Sequence, residues 1–174
     1  MRLQDIITSA RSLARTGWML RGVPPSMAES VASHSFAAAL IALELARRVG
    51  ADPYRSAAIA LVHDIAEAKI GDIAKVSGID EAKRSAELAA LGDLEVSDLV
   101  RSLVKEFYDS RSDEAIVARA ADLAATIMAS RYYRSLGMPV DEIEQTSLKE
   151  LERLASSWGN GGRLLEALRE LGVY

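Results

Sequence analysis

Cysteine is absent from this chain, which removes a disulfide scaffold, a thiolate zinc site and a cysteine nucleophile together. Histidine is almost absent as well: His34 and His63 are the only two. Side-chain amides stop at Gln4, Gln145 and Asn160. Few amides and no cysteine together form the usage of a protein that avoids thermolabile residues, so a thermophilic source is expected. There is no excess of positive charge either. Lys and Arg number 21 against 25 Asp and Glu, a net charge of −4, so no electrostatic footprint for nucleic acid exists and none is expected as a partner. No apolar run approaches the roughly 18 residues of a membrane span, and Met1-Arg2-Leu3-Gln4-Asp5 does not read as a signal peptide. The expected setting is the cytoplasm, with no membrane partner.

What is present is a chain of 174 residues, 49% hydrophobic and 26% charged, long enough to bury a core as one domain over residues 1–174. Apolar periodicity predicts a helix over 3–13, then a loop from Arg15 to Pro25 carrying two glycines and two prolines. Further helices are predicted over about 26–49, 53–69, 81–91, 94–108, 113–136, 141–157 and 162–171, with a polar, turn-rich stretch at Lys75–Asp80. No repeat and no strand pattern interrupts this series. The expected fold is all-α, a compact multi-helix bundle with its core over residues 10–135 and C-terminal helices over 141–172.

The most informative stretch is Leu61-Val62-His63-Asp64-Ile65-Ala66-Glu67-Ala68-Lys69-Ile70-Gly71-Asp72. Its histidine follows the apolar run Ala57–Val62, where an unpaired ionisable group would cost several kcal/mol, on the order of a buried charge without a partner. On a helix His63 and Asp64 lie about 100° apart and can reach one point. Glu67, at i+4 and i+3 from them, keeps to that face. Gly71 permits a turn that brings Asp72 back over the helix end. A neutral imidazole beside a carboxylate is a common ligand pair for a divalent transition metal. A lone His-Asp dipeptide is more often unremarkable, and a single core histidine is usually satisfied by a backbone carbonyl. Here, however, His34 and Asp122 also sit on apolar helical faces. Three helices each carrying an awkward polar residue suggest that those residues meet. In the loop, Arg15 and Arg21 suit a phosphate and Trp18 suits a base or sugar; the alternative is that Trp18 anchors the core and both arginines are solvated.

The order His34, His63-Asp64, Asp122 resembles the H…HD…D signature of the HD-domain metal-dependent phosphohydrolases. The likeness extends to their 5′-deoxynucleotidase branch through Arg15-Thr16-Gly17-Trp18-Met19-Leu20-Arg21, Glu29-Ser30-Val31-Ala32-Ser33-His34 and Leu61–Glu67 followed by Gly71-Asp72-Ile73. It covers about residues 10–135. This resemblance implies that His34, His63, Asp64 and Asp122 hold one divalent metal, Mn, Co, Ni, Fe or Zn in preference to Mg. It implies catalytic acids at Glu67 and Asp72, a sugar-contacting Trp18, and Arg15, with Arg21, on the phosphate of a small nucleotide. It also implies a homodimer, for which Tyr132, Tyr133 and Trp158 are candidate contacts, or else they complete the monomer core. Three positions depart from the branch: Gly17 where an arginine directly precedes the tryptophan, Ser33 where an acid precedes the histidine, and Gly22 where asparagine is usual. They leave open another small phosphate ester or a cyclic phosphodiester as substrate. A metal- or nucleotide-binding module without turnover is the reading from another class.

Overall fold

Capping chemistry sets most of the helix boundaries in the computed structural model, which describes residues 1–74 and 80–174. The elements are α1 Leu3–Ser12, α2 Thr16–Met19, α3 Val31–Val49, α4 Pro53–Val62, α5 Glu67–Ile70, α6 Asp80–Gly92, α7 Asp98–Asp109, α8 Asp113–Ser135, α9 Asp141–Ser157 and α10 Gly161–Glu170. Among the described residues there is no strand, and the one β-bridge pairs Ala14 with Ser30. The fold is all-α, as the periodicity predicts. None of its described helices is long and apolar enough to cross a membrane. The turn-rich reading of 75–79 falls outside the described residues.

The second helix begins later than the expected Ser26. Pro24 and Pro25 hold a turn, and the helix starts only where Ser30 can cap it. Ser30 Oγ accepts from the Ser33 amide at 3.1 Å, and Ser33 Oγ accepts from the Ser30 amide at 2.8 Å, a reciprocal capping box. Ser33 therefore has a structural task where the resemblance called for an acid. Asp52 caps α4 through the amides of Tyr54 and Arg55, with Pro53 at the first helical position, and Gly50 ends α3 at φ 90°.

Small residues bring the central helices close. On α3, Ala38, Ala42 and Ala46 recur every fourth residue, and on α8 Ala118, Ala121 and Ala125 do the same work; all six are buried. α3 packs on both α4 and α8, and α8 also carries α9. Enlarging such an alanine would overpack the contact at a cost of about 1–3 kcal/mol. This close approach is what lets His34 on α3 reach Asp122 on α8.

One expected helix is two. The reading of an unbroken helix over 53–69 fails at His63–Ala66, where α4 gives way to tight turns before α5. The His63 ring takes the Ala60 carbonyl that would otherwise continue the ladder, donating from Nδ1 at 2.7 Å. Beyond it the amides of Ile65, Glu67, Ala68 and Lys69 bond three residues back, which tightens the chain.

Candidate active site

The break in α4 turns a His-Asp dipeptide into a site. With Nδ1–H committed to Ala60, His63 presents the lone pair of Nε2 inward, 3.0 Å from Asp64 Oδ2 and 3.7 Å from Asp122 Oδ1. That nitrogen is fully enclosed and has no hydrogen bond. His34, wholly buried, places Nε2 2.9 Å from the same Asp122 Oδ1. Ligand atoms of His34, His63 and Asp122 lie within 4.8 Å of one another. A lone-pair nitrogen aimed at carboxylate oxygens needs a proton or a cation between them. Burial opposes a charged imidazole, but Asp64 and Asp122 outweigh it and lift His63 well above the ordinary imidazole value. Asp122, despite burial, is held well below the carboxylate range by His34 and His63. The donor set thus fits a divalent metal that would replace this proton.

Asp64 is part of this cluster through His63, but it is also bound by Arg15, whose Nη1 donates to Asp64 Oδ2 at 3.0 Å. Arg15 Nε lies 3.6 Å from Glu29 Oε1 as well. The Ala14–Ser30 bridge fixes this arrangement, since the Arg15 amide donates to the Glu29 carbonyl at 2.9 Å. Arg15 is accordingly a clamp on two acids with only its Nη2 left for a ligand.

Trp18 lies in the core. It is 2% exposed, packed at 4.9 Å between ring centres on Tyr133, and absent from the cavity wall. Its indole N–H donates to Glu29 Oε1 at 3.0 Å, and the same oxygen lies 3.3 Å from His34 Nδ1. Trp18 therefore supports Glu29, whose carboxylate faces the enclosed Nδ1 of His34 from behind without a hydrogen bond to it. Such outer partners orient metal-binding imidazoles.

The cluster opens into a cavity of about 440 Å³ that Arg15, Arg21, Asp64, Glu67, Asp72 and Asp122 all line. Gly71, at φ 85°, makes the turn that returns Asp72 to this space. Asp72 Oδ2 accepts from the Thr16 amide and its own carbonyl accepts from Thr16 Oγ1 at 2.8 Å, so it ties α2 to the site. Arg21 is half-buried and engaged, donating from Nη2 to Glu142 at 2.6 Å. Glu67 is 1% exposed. One of its oxygens accepts from Lys83 at 2.9 Å and the other, Oε2, is enclosed without a partner. Burial first, then the charges of Asp64 and Asp72, push its carboxyl up to about 9 against the pull of Lys83.

Two residues of this site escape sequence reasoning in different ways. Glu29 stands in the quoted motif, but its five-residue spacing from His34 puts it off the helix, so no periodicity flags it. Lys83 sits on the charged, amphipathic α6 and reads as a solvated surface residue, yet it bonds Glu67 and the Ile73 carbonyl and lies 3.9 Å from Asp72.

Residues 7–154 match the HD domain family. The chain belongs to that family. It is 32% identical over 139 residues to human 5′-deoxynucleotidase HDDC2, covering 75% of this chain and 66% of that one. To the mouse protein of the same name it is 30% identical over 144 residues, 78% of this chain and 70% of the relative. Among solved structures, the PH0347 protein of Pyrococcus horikoshii superposes with a TM-score of 0.81 at 28% identity, over 96% of this chain and 95% of that one. A conserved hypothetical protein of Pyrococcus furiosus gives 0.80 at 28% identity over 98% and 99%. The HD-domain likeness spans the whole site described above, from Arg15 to Asp122.

Proposed function

We propose that this HD-domain protein is a metal-dependent phosphohydrolase that releases phosphate from deoxyribonucleoside 5′-monophosphates. The observation that carries the reading is the meeting of His34, His63 and Asp122, with Asp64 beside His63, at the edge of a cavity that Asp64, Asp122, Glu67 and Asp72 line. The relatives named 5′-deoxynucleotidase HDDC2 supply the substrate class. Two imidazoles and two carboxylates suit Mn, Co, Ni, Fe or Zn better than Mg, which prefers oxygen ligands throughout. The bound metal supplies Lewis acidity toward the phosphoryl group and an acidified water.

The chain's own residues divide the remaining tasks. Arg15, anchored on Asp64 and Glu29, offers Nη2 to a phosphate oxygen at the cavity wall. Glu67 Oε2, enclosed and unpartnered, is the carboxyl oxygen free to bond the attacking water or the departing 5′-oxygen. Asp72 has one oxygen held by Thr16, so it serves chiefly to close α2 over the cavity and to share Lys83 with Glu67. Lys83 holds Glu67 in place. Arg21, bound to Glu142, borders the phosphate end more remotely.

A second reading is favoured by the burial of Trp18, which leaves deoxyribose without the contact expected to select it: another small phosphate ester, hydrolysed by the same residues. The test is phosphate release from dAMP, dGMP, dCMP, dTMP and the matching ribonucleotides after chelation and re-addition of each metal. Metal-dependent release that favours the deoxy series supports the proposal. Release without sugar preference moves the reading to the broader ester class, and no release with any metal refutes both. The proposal includes a cytoplasmic homodimer; the exposed pairs Phe36 with Leu40 on α3 and Met128 with Tyr132 on α8 support self-association, which light scattering would measure.

A further inference from the structure

Every cation on the wall of the cavity described above is engaged: Arg15 by Asp64 and Glu29, Arg21 by Glu142, Lys83 by Glu67. The uncommitted positive charge lies elsewhere. A second cavity of about 650 Å³ adjoins the first and shares Asp64, Lys83 and Asp122 with it. Its wall adds His63 itself, Phe107 and Tyr108 from α7, Arg119 from α8 and Arg153 from α9.

Arg119 stands three residues before Asp122, one turn along the same face of α8. Its guanidinium lies over the Phe107 ring at 5.3 Å, and that ring lies 4.8 Å from the imidazole of His63. It is half-buried. Among the described residues, neither the Arg119 nor the Arg153 side chain has a hydrogen bond or an ion pair. Arg84, on the same wall, is held by Asp109 at 3.4 Å. Of the carboxylates there, Glu87 accepts from the Tyr108 hydroxyl and lies 3.5 Å from Lys83, and Glu150 is engaged too. A guanidinium partly withdrawn from water with no carboxylate partner, stacked on an aromatic ring, is prepared for a planar or tetrahedral anion.

We infer that Arg119, with Arg153 on the same cavity wall, forms a phosphate subsite that flanks His63 and Asp122 on the side away from Arg15 and Arg21. Two sources share this chemistry: a second phosphate on the nucleotide itself, or a free phosphate ion. The first rests on the function proposed above, and the second does not.

The test compares wild type with R119Q as metal-loaded full chains. The KM for deoxyadenosine 5′-monophosphate is set against that for deoxyadenosine 3′,5′-bisphosphate, and bound inorganic phosphate is counted by equilibrium dialysis. If the subsite serves the substrate, the bisphosphate KM lies about tenfold lower in wild type, and the gap closes in R119Q. If it holds a separate ion, the two KM values match, but dialysis counts one phosphate fewer per chain in R119Q. In either case R119K, which keeps the charge, falls between the two; a merely structural Arg119 gives no such order. Less than about a twofold difference between wild type and R119Q in both measurements overturns the inference. A chain that hydrolyses neither nucleotide defeats the proposed function, and the dialysis count still decides the subsite.

Discussion

Trp18→Phe separates what the structure says about this residue from what the resemblance implies. The substitution keeps an aromatic ring against Tyr133 but removes the indole N–H that reaches Glu29 at 3.0 Å. A hydrogen bond to a charged acceptor contributes about 1.5–3 kcal/mol. The missing second ring, at a position 2% exposed, adds about 1 kcal/mol of lost packing. A total near 3 kcal/mol in a chain of this length lowers the melting temperature by roughly 6–12 °C. Because Glu29 Oε1 also faces His34 Nδ1 at 3.3 Å, loosening it weakens metal binding severalfold.

The assay has three readouts: thermal unfolding, metal affinity by competition with a chelator, and the ratio of kcat/KM for dAMP over AMP. The expected result is a lower melting temperature, weaker metal binding and an unchanged deoxy-to-ribo ratio. Collapse of that ratio with metal affinity and stability intact would refute the reasoning, because it would mean that the indole meets the sugar. Glu29→Gln is the companion variant. It keeps the fold but weakens the carboxylate behind His34, with an expected loss of about 10–100-fold in metal affinity.

Other expectations follow from the same geometry. Glu67→Gln should lower kcat by about 10²–10⁴ with little change in KM, measured by steady-state phosphate release at saturating metal; an unchanged kcat removes Glu67 from the reaction. His63→Ala should abolish tight metal binding, and retained one-to-one metal in elemental analysis of the folded variant would exclude the cluster as the site. Metal uptake should release a proton from His63, because burial is outweighed there by Asp64 and Asp122; calorimetry in buffers of different ionisation enthalpy reads this directly. Stability of the metal-free protein should depend on pH from both sides. The raised His63 contributes fully below about 6.5 and loses its contribution as pH rises through its folded value, whereas the depressed Asp64 and Asp122 contribute above about 3.8 and lose theirs as pH falls. A melting temperature that climbs steadily from pH 6 to 9 would contradict that assignment.

The parts of this fold legible in the sequence are those governed by local rules. Asp52-Pro53 opens a helix and Gly50 closes one because caps and left-handed residues are short-range chemistry. Asp141–Ser157 has the bounds its periodicity predicts, since its apolar face and flanking turn agree. His34, His63 and Asp122 could be suspected jointly because each is a polar residue on an apolar face, a conflict that only a shared partner resolves. The break after Val62 could not be read, because it arises when the His63 side chain captures a backbone carbonyl, and the apolar pattern runs through it undisturbed. Lys83 was hidden for the opposite reason: a lysine on a charged helix obeys every surface rule, and only the approach of α6 to α5 gives it Glu67.

Trp18 shows how the fold gives a motif residue partners that the motif does not spell out, Glu29 and Tyr133. The residues around it fold α2 so that Thr16 meets Asp72, and the Ala14–Ser30 bridge sets Glu29 beside Arg15. Within that frame the indole lies beneath the acids and away from the cavity. The consequence is electrostatic. Glu29, held below the usual carboxylate range by His34 and Arg15 in spite of burial, carries negative charge behind one imidazole, while Asp64 carries it beside the other. Arg15 offsets both. A centre with two imidazoles and three nearby carboxylates but one clamping arginine retains enough negative charge to attract a divalent cation. Two guanidiniums without a carboxylate partner among the described residues, Arg119 and Arg153, line the adjoining cavity that His63, Asp64 and Asp122 also border, where they can meet an anion brought to that cation.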